Sequence, residues 1–499
     1  MFPICSLTKL FTSMAVARWL DSSDTQFSWN TTVPDLVPYL THTSFKYVNL
    51  SQLLSHTSGV TRPGCYRGCT TNMLIDEASY IDFVADQARV RPLHGDFYYN
   101  NLGYKLAGLI LDHQCGVKLS SLLQEHFFDK WDMCRTFLGH PRPPIDGVSE
   151  AYNVLDNGKP IKIPTPLSPD TSFAQASGGM YSCAQDLLRA YVQVMEAIKD
   201  PDGSPQVKQT DRLFAAHTGI PAHFGSVAGH HYCLGLAKAA LPASIGYTGL
   251  NSSLLPGQSM PVIGEYNNIG PVYYDNGSGP GALAAVAILP RHDTVVVVLS
   301  NTLALNDCAD WVQQLVLSKL VGGPPDCLFV SLAEEARSNN LKGYADLKAK
   351  LDNGQGPPPS LELPQYCKPY ENIAEYLAID VELKDGKLVW TKQGRPGEQF
   401  PLYHYKGDTF HWMGEWNDMA SRGLLLHKAE HYWLVHFHVD RDDGDGDNVG
   451  ESDVVGLTWV YDPHNRQAGR FANALLDVDD RSQWYEWTRL VESKGETQV

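Results

Sequence analysis

Cys5-Ser6-Leu7-Thr8-Lys9-Leu10-Phe11-Thr12 holds the one Ser-x-x-Lys quartet of the chain, and the fold turns on how this stretch is read. On a helix, residues i and i+3 share a face, so Lys9 can reach the Ser6 hydroxyl and act on its proton. Leu7, Leu10, Phe11, Met14, Ala15, Val16 and Leu20 make the segment apolar nearly all round, which predicts a buried central helix. A lysine at the mouth of such a helix needs a partner. Chance places about one or two such quartets in a chain this long, so specificity must come from the surrounding sequence.

Working outward, Val48 to Gly59 reads as a short helix capped by Asn49 and running into a turn. Apolar spacing predicts helices over about Asn101 to His113 and Ala184 to Ile198, the second following the Gly178-Gly179 turn. Ala282 to Leu289 and Thr294 to Ser300 are β-rich runs joined by Pro290-Arg291-His292-Asp293, a hairpin signal. A closing helix is expected over Leu305 to Leu320, capped by Asn306 or Asp307.

A charged amphipathic helix, about Leu332 to Leu351, leads into Gly354-Gln355-Gly356-Pro357-Pro358-Pro359, the clearest linker. Beyond it, Tyr376 to Leu383, Lys387 to Thr391, Thr409 to Met413, Leu424 to Lys428, Tyr432 to His438 and Val454 to Tyr461 read as short strands of a small antiparallel sheet or barrel. The expected organisation is an α/β (α+β) domain over 1–325, a helix and linker over 326–360, and a β domain over 361–499. His436 and His438 share a strand face, where barrel lining is the simpler reading than a metal pair. Asp443, Asp445 and Asp447 fit a solvated hairpin tip better than a calcium loop, because Asn448 and Val454 stand where the turn glycine and closing Glu would be.

The 499 residues carry 43% hydrophobic content, a net charge of -17 and a pI near 5.4. That charge disfavours nucleic acid and anionic membranes as partners, and no stretch approaches the roughly 18 apolar residues of a spanning helix. With no basic-then-apolar leader, a cytoplasmic protein is expected. Ten cysteines lack paired metal-type spacing apart from Cys65-x3-Cys69, so reduced thiols are expected. Neither metal nor cofactor is called for. Sequons at Asn30, Asn49, Asn251 and Asn276 carry little weight.

Several motifs in order resemble the serine β-lactamase and penicillin-binding-protein-like superfamily, in particular its class C β-lactamase, esterase and peptidase S12 branch. The Ser6 stretch resembles the nucleophile helix, Leu53-Leu54-Ser55-His56-Thr57-Ser58-Gly59 an "LLSHTSG" signature, and Phe97-Tyr98-Tyr99-Asn100-Asn101-Leu102-Gly103-Tyr104 an "F-x-Y-S-N-x-G-Y" element. Ser177-Gly178-Gly179-Met180-Tyr181-Ser182 resembles a recurrent turn, and Asn276-Gly277-Ser278-Gly279-Pro280-Gly281 the third active-site motif. The tail resembles a lipocalin-like domain appended to some members.

The resemblance implies Ser6 as the acylated nucleophile, Lys9 as its activating partner and Tyr99 as general base, with a phenolate favoured by the neighbouring ammonium. Asn101 would hold Lys9 and meet the substrate. Asp275, Asn276, Gly277 and Ser278 would line the substrate strand, with the Ser6 and Ser278 N–H groups forming an oxyanion hole. The family places Lys or His where this chain has Asp275, and an acid there would repel substrate carboxylates. A neutral small-molecule ester, thioester or amide, of the kind handled in secondary-metabolite pathways, is therefore the expected acyl substrate. The other readings are a D-amino-acid-type peptidase or β-lactamase, and a non-catalytic protein whose barrel binds an apolar ligand. Members normally carry some dozens of residues before the nucleophile, against five here. The sheet is thus expected to expose an edge beside Val295 to Leu299, which a homo-oligomer or a donor-strand partner would cover unless the start is misplaced or the copy decayed.

Overall fold

The structure is a computed structural model that describes all residues except 23–24, 65, 140–146, 167–168, 222–228, 259, 266–268, 427, 441–451, 461–468, 477–480 and 486–499. Its first 325 residues are organised on an antiparallel sheet of β1 (Thr218–Gly219), β2 (His231–Tyr232), β3 (Ala237–Leu241), β4 (Gly270–Gly279), β5 (Ala282–Leu289) and β6 (Thr294–Ser300). The spatial order is β6-β5-β4-β3-β2-β1, so β6 is the outer strand and pairs on one side only. β5 is buried at every position, which is why it reads as a continuous apolar run rather than an alternation.

Each face of β5 meets a different helical layer. Ala284, Val286 and Ile288 join the cluster that contains α1 (Thr8–Leu20) and α3 (Ala184–Lys199), with α2 (Asn101–Cys115) packed beside α1. Ala287 and Leu289 face the opposite cluster, with Trp311 and Leu317 of α4 (Cys308–Val321). Both caps are local. Asn100 Oδ1 accepts from the Leu102 N–H at 2.9 Å to start α2, and Asp307 Oδ1 accepts from the Asp310 N–H at 3.1 Å to start α4.

The third motif supplies the end of strand β4, residues 276–279, and β4 pairs in register with β5 from Tyr273↔Ile288 to Gly279↔Ala282. Glycine is required there for closeness: a Cβ on Gly277 would stand 2.4 Å from the Ile4 carbonyl oxygen. The helix expected from Leu332 starts earlier, as α5 (Asp326–Asp352), because Pro325 stands extended at its N-cap and leaves the next residues free to coil. Gly354 and Gly356 of the linker press on Tyr405 and Lys406, so that segment is packed against the tail rather than free.

Among the described residues the tail forms a nearly closed antiparallel barrel of nine strands, in the order Gln399–Pro401, Lys387–Lys392, Ala378–Lys384, Pro369–Glu371, Arg470–Asn473, Asp453–Trp459, Leu434–Asp440, Thr409–His411, Tyr403–Lys406. Trp390, Trp412, Trp433 and Trp459 fill its interior. Lys392 sits among those rings, 4.9 Å from the Phe400 centroid and 5.0 Å from Trp412, and pairs with Glu398 at 3.3 Å. His436 Nδ1 meets the Thr409 hydroxyl at 2.9 Å and His438 Nε2 the Thr458 hydroxyl at 2.8 Å. The acidic tip with Asp443, Asp445 and Asp447 lies outside the described residues, as does Cys65; the nine described cysteines are free thiols. No helix among the described residues is long and apolar enough to cross a membrane.

The described residues of the expected strand Leu424 to Lys428 form no strand. Gly423, at φ 69, turns the chain, and its carbonyl accepts from the Thr70 N–H at 3.0 Å, which pulls the segment onto the first domain. Barrel residues clamp the same loop at three further points. Glu398 Oε1 accepts from the Cys69 N–H at 2.6 Å, Arg395 donates to the Met73 carbonyl at 2.6 Å, and Gln393 donates to the Leu74 carbonyl at 2.7 Å.

Candidate active site

Ser6 sits in a 3-10 turn, Cys5–Leu7, that feeds directly into α1. Cys5 holds a left-handed φ of 47, wedged by Gly277 and Gly279, and this kink turns Ser6 towards the cleft. Three hydrogen bonds lock the start of α1 to the Ser177-Gly178-Gly179 motif and its flanks: Thr12 donates to the Ala176 carbonyl at 2.7 Å, the Met180 N–H donates to Thr8 Oγ1 at 3.2 Å, and Lys9 Nζ donates to the Ser177 carbonyl at 2.8 Å. The same ammonium lies 3.0 Å from Ser6 Oγ, and the Tyr99 hydroxyl donates to that oxygen at 2.8 Å. Ser6, Lys9 and Tyr99 thus converge on one atom from two segments 93 residues apart.

His56 holds Tyr99 in place. At φ 63 its ring turns under the Tyr99 ring, 4.4 Å between centroids, while Nδ1 accepts from the Asn100 N–H at 3.0 Å and its carbonyl accepts from the Tyr98 N–H at 2.9 Å. Burial keeps this imidazole well below its usual pKa, so it is neutral, and its acceptor role assigns the proton to Nε2.

Electrostatics correct two expectations. Burial first, and the Asp275 carboxylate second, raise the Tyr99 hydroxyl well above its ordinary value, so the phenol stays protonated and is a proton donor. Lys9 instead is brought down to about 7, by burial above all. The neighbouring ammonium does not rescue a phenolate, because the same burial that penalises the phenolate also leaves Lys9 only part protonated near neutrality.

Asp275 is the second correction. Its register partner Val286 faces the α1 layer, so Asp275 points beneath Ser6, fully buried, and lines neither cavity of the site. Burial lifts its carboxyl to about 7, with Lys9 pulling the other way. Among the described residues its two oxygens meet no hydrogen-bond partner of ordinary geometry, though the Asn276 N–H and the Thr248 hydroxyl lie near enough to favour the carboxylate. Asp275 and Lys9 therefore share protons near neutrality as a pair, ammonium with carboxylate or amine with acid. Repulsion of a substrate carboxylate by Asp275 has no basis in this geometry.

Asn276, one residue on, faces the other layer: it donates to Asp310 at 3.2 Å and accepts from Thr248 at 2.8 Å. Gly277 serves the close approach of Ile4. Of the five expected substrate contacts, Asn101 and Ser278 line the cleft. Asn101 opens α2, and Lys9 spends its hydrogen bonds on Ser6 and Ser177 rather than on Asn101.

Two cavities meet here. A small one of about 70 Å³ holds Ser6, Ser278 and Lys105; a larger one of about 410 Å³ holds Tyr99 and Asn101 on one wall and Leu424, Lys428 and Trp433 on the other. They share Arg67, Asn101 and Pro280. The barrel is therefore a wall of the cleft. Sequence reasoning does not reveal Arg67, Lys105 or Lys428. Lys105, buried in the apolar face of α2 and donating to the Phe173 and Ala174 carbonyls at 3.1 and 2.9 Å, carries a readable signal as a lysine within an apolar run. Lys428 carries none, since only the folding of the tail onto the first domain brings it there.

A family model described as Beta-lactamase matches residues 1–318, and one described as a domain of unknown function (DUF3471) matches residues 352–454. Among solved structures, the chain is similar to the octameric penicillin-binding protein homologue from Pyrococcus abyssi, at 17% identity and TM-score 0.50, covering 82% of this chain and 81% of that one. It also resembles a D-stereospecific amidohydrolase from Streptomyces sp., at 16% identity and TM-score 0.47, over 64% of this chain and 86% of the other. A D-alanine carboxypeptidase AmpC from Burkholderia cenocepacia aligns at 18% identity and TM-score 0.46, over 67% and 83%.

Proposed function

The chain belongs to the beta-lactamase family, and from that premise we propose that it is a serine hydrolase or acyltransferase working through an ester of Ser6. The observation that carries this reading is the double contact on Ser6 Oγ, from Lys9 at 3.0 Å and Tyr99 at 2.8 Å. Serine is a poor nucleophile until a base takes its proton, and an amine with a pKa of about 7 is populated at neutral pH. Lys9 in its amine form accepts the Ser6 proton as Oγ bonds to the carbonyl carbon of an ester, thioester or amide. The bond to the leaving group then breaks, and the Tyr99 hydroxyl, held protonated by burial, hands a proton to the departing atom and is refilled from the Lys9 ammonium by way of the site they share. Water in a hydrolase, or an acceptor hydroxyl or amine in a transacylase, reverses these roles to release the acyl group. A small-molecule acyl donor of secondary metabolism is the substrate class the family resemblance favours.

Fluorophosphonate labelling, read by intact mass and peptide mapping, tests this. One stoichiometric adduct on Ser6 is expected. Ser6→Ala should abolish it, and Tyr99→Phe should slow it by about 10²–10³-fold. A folded protein that takes no label would overturn the reading in favour of a non-catalytic binding protein.

A further inference from the structure

The larger cavity is unusual for its charge. In a chain of net charge -17, it gathers Arg67 from the loop after Tyr66 and Lys428 from the barrel, with Arg62 at the rim. Arg67 contacts the Tyr66 ring at 5.6 Å and Lys428 the Tyr432 ring at 5.1 Å, and neither forms an ion pair with a carboxylate among the described residues. Burial and the two guanidiniums bring the Lys428 ammonium down to about 8, so the two sides of the cleft feel each other as like charges. Uncompensated cations facing one another in a half-buried cleft are costly, and an anion between them removes the cost.

Position gives this charge a purpose. Arg67 lines both cavities, so an anion held there extends from the space that Ser6 faces. The loop carrying Arg67 is fixed by Glu398, Arg395 and Gln393 of the barrel, the domain that also carries Lys428. Leu424 and Trp433 supply apolar walls between. We propose that the cleft takes an acyl substrate bearing a terminal anionic oxyacid group, carboxylate or phosphate, clamped between Arg67 and Lys428 while its scissile carbonyl lies at Ser6. The proposal rests on Ser6 being the nucleophile only for the second half of that statement; the clamp stands on its own geometry.

The test compares p-nitrophenyl hemiesters of glutaric and suberic acids with p-nitrophenyl butyrate and octanoate. The hemiesters should show kcat/KM higher by about tenfold or more, and Lys428→Met and Arg67→Met should each lower that ratio by about tenfold, with Lys428→Arg restoring most of it. Calorimetric titration of monoethyl adipate, and separately of inorganic phosphate, into Ser6→Ala distinguishes the two anion sources and needs no turnover. Binding that disappears in Ser6→Ala/Lys428→Met supports the clamp even if no ester is hydrolysed and the nucleophile assignment fails. A hemiester preference of one or less, together with no heat from either anion in folded Ser6→Ala, overturns it.

Discussion

Replacing Asp275 by asparagine should move the acid limb of acylation to lower pH. The Asp275 carboxylate favours the charged form of Lys9, so it raises that pKa while burial lowers it to its net value of about 7. Asparagine removes the raising influence and leaves the burial. Lys9 and Asp275 form no direct ion pair, and unit charges beyond contact distance in a medium of effective dielectric about 20 interact by about 1–3 kcal/mol, equivalent to about 1–2 pKa units. Because Asp275 itself titrates at about 7 and is only part ionised there, a downward shift of about 1 unit is expected. The amine then persists in more acidic solution, and the variant should out-label the native protein below pH 6. The assay is the second-order rate of fluorophosphonate labelling of Ser6 from pH 4 to 9. An acid limb that stays in place or moves up would refute Lys9 as the base and Asp275 as its electrostatic partner.

Two further outcomes follow from packing. Gly277→Ala puts a methyl 2.4 Å from the Ile4 carbonyl oxygen and must displace the turn that carries Ser6; a loss of about tenfold or more in labelling rate, with about 1–3 kcal/mol of stability, is expected in denaturant melts. Glu398→Ala strands Lys392 among tryptophans and frees the Cys69 N–H, so thermal unfolding should show about 3–5 kcal/mol of destabilisation. An unchanged melting temperature would refute the Lys392–Glu398 pair as a support of the barrel interior.

What was legible in the sequence was local. Ser6 and Lys9 are three residues apart, and the β5 and β6 boundaries match the expected runs because five or more consecutive β-branched or apolar residues leave no competing choice. Strand β4 was hidden because Asp275, Asn276, Gly277 and Ser278 have poor strand propensity and are held extended by pairing with Val286, Ala285, Ala284 and Leu283 of β5. Their facing was hidden for the same reason: a one-residue uncertainty in register decides whether Asp275 meets a substrate or lies beneath the nucleophile. Leu424 to Lys428 looked like a strand by composition, yet Leu424 and Leu425 line the cleft and Leu426 packs into the core. The pKa order of Lys9 and Tyr99 could not be read either, since burial sets it and burial belongs to the whole fold.

The barrel's grip on the Tyr66 to Leu74 loop makes heredity of this cleft two-part. Chemistry descends with the first 318 residues, while the shape and charge that greet an incoming molecule descend in good measure with residues 352–454. Drift in the tail, or its exchange for another by recombination, therefore alters which compounds are accepted and leaves the serine and its lysine untouched. Natural variants that differ near Gln393, Arg395 or Glu398 would differ in diet before they differ in reactivity.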